Sequence, residues 1–69
     1  MTMQFDRESK RWTLDGRGLH CGDGIDVWLC ERWVPVCVEW QQPHGWVLFA
    51  DDDRVRLLPG TGVRARWAR

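Results

Sequence analysis

Apolar residues recur at every second position along much of the chain, which is the pattern of half-buried β-strands. The alternation is clearest in IDVWLC, WVPVCVEW and WVLFA, at residues 25–30, 33–40 and 46–50. Shorter segments of the same kind, MQFD, RWTL, VRLL and VRARW, lie on either side of these three. No segment shows the period of a helix longer than one turn. The pattern therefore predicts an all-β domain.

Two hairpins in the middle of the chain can be tested for a consistent register. Placing Cys30 opposite Trp33, around a turn at residues 31–32, aligns the apolar positions of the first hairpin. Placing Trp40 opposite Trp46 aligns those of the second, and both pairings put the same side chains of the shared strand on one face. That predicted inner face holds Ile25, Val27, Leu29, Val34, Val36, Val38, Trp40, Trp46, Leu48 and Ala50. We therefore expect Trp40 and Trp46 to be core residues.

A last hairpin is predicted around the segment LPGTG at residues 58–62. The segment matches the sortase anchoring pattern, but only VRARWAR follows it, and we interpret it as a Pro-Gly turn. The turn aligns apolar residues on one face: Val55, Leu57, Val63, Ala65 and Trp67. The opposite face then collects Leu58 and four arginines: Arg54, Arg56, Arg64 and Arg66.

These strands favour a small antiparallel barrel or rolled sheet. We expect five to seven strands in a Src-homology-3-like barrel that forms one domain over residues 1–69, because closure removes exposed strand edges. An oligonucleotide-binding-type barrel fits this length less well. So small a domain needs a core dense in large side chains, and six Trp and two Phe supply them.

Charge balance, the first residues and the cysteine count indicate where the protein is located more clearly than what it binds. Ten basic residues balance ten acidic ones, although residues 54–69 carry five Arg and no acid. The first residues, MTMQFDRESK, lack the apolar run of a signal peptide, and no run is long enough to span a membrane. Three cysteines are an odd number, which favours reduced thiols. We therefore expect a cytoplasmic protein.

Candidate catalytic and metal-binding residues are few and poorly spaced. The side chains that could ligate a metal are His20, Cys21, Cys30, Cys37 and His44, and none forms a CxxC or HxxxH pair. Most carboxylates fall at turns, where Asp commonly bonds to the local backbone. Neighbours on a strand point to opposite faces, so His20 and Cys21 are not expected to meet. We expect no metal, no cofactor and no enzymatic activity.

An aromatic group on the predicted outer face is the first candidate binding surface. Trp28, Trp33 and Phe49 lie there, and Trp is enriched at interface hot spots. Alternatively, the N-terminal hairpin folds over this face through three side chains: Phe5, Trp12 and Leu14. The pattern leaves both interpretations open.

The arginine group is the second candidate surface: Arg54, Arg56, Arg64, Arg66 and Arg69, with Trp67 nearby. Guanidinium groups bind phosphates or carboxylates in a bidentate manner, and an aromatic ring can stack on a base. Alternatively, this face is simply solvated and pairs with the acidic run at residues 51–53. Overall neutrality weakens the nucleic-acid interpretation.

From residue 10 onward the chain carries a recognisable series of segments. These are RWTLDGRGLHCGDGIDVWL, WVP, VEW, GWVLF and VRLLPGTGVRARW, over roughly residues 10–67. The series resembles a small family of bacterial domains of unknown function found on phages and other mobile elements. The triple Asp and the Arg-rich end depart from that pattern. The resemblance implies a compact barrel-like domain and carries over no functional residue.

These observations together predict a non-enzymatic protein-interaction module encoded by a phage or another mobile element. It would occupy a host protein surface through its Trp and Arg side chains, one version being an anti-CRISPR-type inhibitor of a defence complex. The first alternative is a small nucleic-acid-binding barrel that uses the arginine face. The second is a structural homo-oligomer that buries Trp28 and Trp33 across a two-fold axis.

Overall fold

A computed structural model describes residues 1–43, 45–50 and 54–68. These residues form eight strands and no helix, which confirms the all-β prediction. The strands are β1 (Met3–Asp6), β2 (Arg11–Leu14), β3 (Arg17–Gly18), β4 (Gly24–Leu29), β5 (Arg32–Gln41), β6 (Gly45–Ala50), β7 (Val55–Leu57) and β8 (Ala65–Trp67). Three features of the sequence lie outside the described residues: His44, which was considered as a metal ligand and set aside, the acidic run at 51–53, and Arg69.

The strands form two antiparallel sheets. We call β1-β2-β3 the N-terminal sheet and β7-β6-β5-β4-β8 the main sheet. The strand count exceeds the expected five to seven, partly because Arg17–Gly18, interpreted from the sequence as part of a loop, pairs with β2. No closed barrel is defined among the described residues, so the Src-homology-3-like barrel stays a prediction.

The registers of the two central hairpins differ in how well the pattern predicted them. The pairing of Trp40 with Trp46 is confirmed. The pairing of Cys30 with Trp33 is wrong by two residues, because Trp28 lies opposite Trp33. The turn uses Cys30 and Glu31, whose φ angles of 50° and 60° are the positive values that a two-residue hairpin turn requires. A slip of two residues leaves every side chain on its predicted face.

The predicted hairpin between β7 and β8 is wrong. β7 pairs with β6 and places Leu57 opposite Leu48, whereas β8 pairs with β4 and places Ala65 opposite Val27. The two strands therefore lie at opposite edges of the main sheet, and LPGTG belongs to the connection between them. Each strand covers an edge that a local hairpin would leave unpaired.

The core lies between the two sheets. Met3 and Leu14 of the N-terminal sheet are fully buried and belong to one cluster with Ile25 and Val36 of the main sheet. The N-terminal hairpin therefore covers the inner face of the main sheet and does not fold over Trp28. This packing decides the alternative that the sequence left open.

The two tryptophans predicted as core residues have different environments. Trp46 packs against the core cluster, and its Nε1 donates a hydrogen bond of 3.1 Å to the Lys10 carbonyl. Trp40 is 50% exposed, so its assignment to the core is wrong. It lies two positions beyond Val38, the last buried residue of β5.

Candidate functional site

The outer face of the main sheet carries a pair of tryptophans from the β4–β5 hairpin. Trp28 and Trp33 lie directly opposite each other, with ring centroids 5.2 Å apart and ring planes at 68°. This is the edge-to-face geometry that aromatic pairs prefer. Trp28 remains 36% exposed, so a large apolar surface faces solvent beside the hairpin turn.

Two arginines from the C-terminal segment lie over these rings. The Arg64 guanidinium is 5.2 Å from the Trp28 centroid and 5.4 Å from the Trp33 centroid. The Arg66 guanidinium is 4.2 Å from the Trp33 centroid. All three distances are within the range of cation–π attraction. The pairing of β8 with β4 is what brings these arginines to the tryptophans.

An ion pair fixes the position of Arg66. Its Nε donates to Asp26 Oδ2 at 3.0 Å, and the two residues are also opposite each other in the β4–β8 ladder. Their side chains are 33% and 15% exposed, so the pair is partly shielded from water. Among the residues that the structure describes, it is the one ion pair found. We call Trp28, Trp33, Arg64, Arg66 and Asp26 the aromatic–arginine cluster.

A smaller group lies on the same face near the other edge of the main sheet. Phe49 of β6 is opposite Arg56 of β7, whose guanidinium is 5.9 Å from the ring centroid. Phe49 is also opposite Cys37, four positions along β5 from Trp33. At about 3.3 Å per residue, the two groups are roughly 13 Å apart. Six of the predicted binding residues therefore form two groups on this face, one with Trp28, Trp33, Arg64 and Arg66 and the other with Phe49 and Arg56.

Two predicted binding residues lie apart from the aromatic–arginine cluster. Trp67 is opposite Ile25 on the inner face and packs against the core. The Arg17 guanidinium lies 4.5 Å from its ring centroid, and its buried Nε1 has no hydrogen-bond acceptor within the described part of the chain. Arg54 is exposed just before β7 and has no ring contact within that part.

Sequence reasoning missed a second aromatic surface, at one end of the space between the two sheets. A groove of about 660 Å³ opens there, and we call it the inter-sheet groove. Its lining residues are Phe5, Arg7, Lys10, Trp12, Trp40, Gly45, Trp46, Leu58 and Pro59. The available signal was a hairpin that places Phe5 opposite Trp12 around the charged turn RESK.

Two aromatic pairs form most of the apolar lining of the groove. Phe5 and Trp12 have ring centroids 5.2 Å apart at 65°, and Trp40 and Trp46 have the same separation at 78°. The two residues of each pair lie directly opposite each other on neighbouring strands. The first pair belongs to the N-terminal sheet and the second to the main sheet. Gly45 lies beside the Trp40 ring, and a Cβ at this position would be 3.6 Å from the nearest ring atom, an ordinary contact. Its φ of 87° is in the left-handed region, so a side chain there would strain the backbone.

The turn that carries the cations of the groove has a defined hydrogen-bond pattern. Asp6 accepts from the Ser9 hydroxyl at 2.8 Å and from the Glu8 backbone N–H at 3.1 Å. Hydrogen bonding from Ser9, and then from Glu8, lowers the pKa of Asp6 from its ordinary value. The bond from Trp46 Nε1 to the Lys10 carbonyl fastens this turn to the main sheet.

Neither surface contains a recognisable catalytic or metal-binding arrangement. Within residues 1–43, 45–50 and 54–68, no group of three or more His, Cys, Asp or Glu residues is placed to hold a metal ion. Over the same ranges, no helix has the length and apolar character needed to cross a membrane. Both surfaces combine exposed rings with cations, which is the chemistry of binding.

Comparison with known proteins gives one match. A family model described as Domain of unknown function (DUF5348) matches residues 1–67. No curated protein and no solved structure matches the chain.

Proposed function

The chain belongs to the DUF5348 family of domains of unknown function, and we propose that it is a non-enzymatic module that binds an acidic patch on a partner protein. The contact surface is the outer face of the main sheet, centred on the aromatic–arginine cluster.

The observation that carries this proposal is the position of the Arg64 and Arg66 guanidiniums over the Trp33 ring. Tryptophan and arginine are the residue types most enriched at hot spots of protein interfaces. The ion pair to Asp26 and the ring contacts already restrict the arginine side chains, so less rotamer entropy is lost when a partner binds. Carboxylates of the partner would accept from the guanidinium N–H groups that the Asp26 ion pair does not use.

The biological setting belongs to the same proposal. We place the domain in the cytoplasm, encoded by a phage or another mobile element, where it would occupy a host protein in the manner of an anti-CRISPR-type inhibitor. The small size and the resemblance to mobile-element domains support this setting. A Src-homology-3-like arrangement of the strands is likewise proposed from size and pattern.

The test begins with a partner captured from a host lysate and measures its affinity for variants by calorimetry. Trp33→Ala should weaken binding by about 2 kcal/mol or more, as expected for a hot spot. Arg64→Ala should weaken it less and reduce its dependence on salt. The matched control is Arg17→Ala. Arg17 also lies over a tryptophan ring, but that ring is Trp67 on the inner face of the main sheet, so the variant should leave the affinity unchanged. Equal affinity of the Trp33 variant and wild type would contradict the proposal.

Simple measurements on the outer face test the two alternative functions, a homo-oligomer and a nucleic-acid-binding domain. If the outer face buries a second copy of the chain, sedimentation will show a dimer that Trp28→Ala dissociates. If the arginine face binds nucleic acid, Arg56→Ala and Arg64→Ala will each lower its affinity for DNA or RNA. The rings that would stack on bases are Trp28, Trp33 and Phe49, and each already has a guanidinium near its face.

A further inference from the structure

We propose that the inter-sheet groove is a second binding site, which takes single-stranded nucleic acid. The site is separate from the aromatic–arginine cluster, because it shares no residue with it and lies between the sheets rather than on the outer face. The proposal of a nucleic-acid site in the groove would therefore stand even if the outer face did not bind an acidic protein.

The aromatic rings of the groove are available for stacking. Trp40 is 50% exposed and Phe5 is 41% exposed, the two largest exposures among the aromatic residues described. Over residues 1–43, 45–50 and 54–68, no arginine lies over the ring of Phe5, Trp12 or Trp40, in contrast with the outer face. Arg11 is 5.5 Å from the Trp46 centroid. A base can therefore approach ring surface that no cation occupies.

Charge in the groove selects an anionic ligand. Arg7 and Lys10 are both exposed and line the groove, and no carboxylate lines it among residues 1–43, 45–50 and 54–68. Asp6 follows Phe5 directly on β1, so its side chain points to the other side of the sheet. Its two oxygens also accept the hydrogen bonds of the turn. The groove is thus locally basic in a chain that is neutral overall.

Contacts between the sheets hold the backbone of the turn that carries Arg7 and Lys10 beside the rings. The Trp46 Nε1 bond to the Lys10 carbonyl spans the two walls of the groove. Arg11 lies over Trp46 and also donates to the Leu19 carbonyl at 3.2 Å. Each wall carries a ring pair, and Arg7 and Lys10 lie in the turn beside them. This arrangement matches a strand whose bases stack on the rings while its phosphates meet the two cations.

The lining also indicates how the strand would be recognised. Among the described residues its side chains are aromatic, aliphatic or cationic, so none offers the amide donor–acceptor pair that reads adenine, and its two cations are assigned to phosphates. Stacking tolerates any base, because every base has a π-face. A half-exposed Trp40 fits an open chain passing over the groove better than an enclosed free nucleotide. Binding should therefore show little sequence preference and a strong dependence on salt.

The experiment measures fluorescence anisotropy of labelled ten-nucleotide oligo-dT and oligo-U with the whole chain, at low salt and again at moderate salt. We expect binding that weakens as salt rises. Trp40→Ala and Phe5→Ala should each weaken it by about tenfold, and Trp40→Phe should retain most of it. The control, Val55→Ala, removes an exposed apolar side chain outside both surfaces and should leave the affinity unchanged, while Trp28→Ala tests whether the outer face takes part.

Each other outcome overturns the proposal. Absence of oligonucleotide binding at low salt does so directly. Loss of binding in Trp28→Ala but not in Trp40→Ala would assign nucleic acid to the outer face. If AMP or polyglutamate displaces the oligonucleotide at equal concentration of charge, the ligand is a free nucleotide or an acidic peptide instead. None of these results depends on the calorimetry with a protein partner, so the two proposals fail independently.

Discussion

The aromatic–arginine cluster and the inter-sheet groove use the same two kinds of residue in different ways. On the outer face, arginines lie over tryptophan rings, and one of them is paired with Asp26. In the groove, Arg7 and Lys10 line the walls, while the rings of Phe5 and Trp40 remain exposed. In the first arrangement, the cations already interact with rings and a carboxylate of the same molecule. The second leaves both ring surface and charge for a ligand, which composition alone cannot reveal.

The two surfaces also differ in the structure that supports them. The cluster lies on three adjacent strands of one sheet, β5, β4 and β8. The groove needs both sheets, because Phe5 and Trp12 come from one and Trp40 and Trp46 from the other. Anything that loosens the contact between sheets should therefore damage the groove first.

The largest expected effect comes from breaking that contact. Leu14 is fully buried between the sheets, so Leu14→Ala should lower the free energy of unfolding by about 2–5 kcal/mol. Urea denaturation measures the change. Leu58→Ala is the matched control, because Leu58 is 74% exposed at the rim of the groove and should cost well under 1 kcal/mol. Similar losses for the two variants would show that Leu14 does not join the sheets.

We expect an intermediate effect from two half-buried tryptophans, of which one donates an indole hydrogen bond and the other does not. Trp46 Nε1 donates to the Lys10 carbonyl, whereas Trp67 Nε1 is buried without an acceptor in the described chain. Trp46→Phe should therefore cost about 1 kcal/mol more in unfolding free energy than Trp67→Phe. Thermal or urea unfolding of the pair tests this difference. An equal loss would mean that the bond does not fasten the turn to the main sheet.

The smallest effect concerns the turn beside the groove. Ser9→Ala removes the main hydrogen bond that lowers the pKa of Asp6, so that pKa should rise toward its ordinary value. A lowered folded-state pKa stabilises the fold above the unfolded-state pKa, and this contribution is lost as pH falls through the folded-state pKa. The variant should therefore lose less stability on acidification than wild type. NMR titration of the Asp6 carboxyl carbon measures the shift, and Ser9→Thr, which keeps the hydroxyl, should leave it lowered.

The alternating pattern predicted the faces of the central strands better than it predicted which strands pair. Val36 and Val38 are buried and Trp28 and Trp33 face outward, as expected, because a side chain's face depends only on odd or even position. The exact β4–β5 register was missed because Cys30 and Glu31 adopt positive φ without the Asn or Gly that signals such a turn.

Long-range pairing explains the larger misses. LPGTG indicated a hairpin between β7 and β8, but β7 pairs with β6, the strand just before it, and β8 pairs with β4, which lies far away along the chain. Alternation within a segment contains no information about which remote edge it will join. The groove was missed for the same reason, since Phe5 and Trp40 come together only when the two sheets pack.

The backbone bonds between the two ends of the domain have a consequence for how it is made. The Met3 N–H donates to the Val63 carbonyl and the Ala65 N–H to the Met1 carbonyl, both at 2.8 Å. A growing polypeptide leaves the ribosome N-terminal end first, so β1 has no partner on this side until residues 63–65 emerge. Until then the apolar side chains of Met3 and Leu14 lack part of their cover, at the stage when nascent chains are most prone to aggregate. This domain is therefore expected to complete folding only after residues 63–65 have left the ribosome.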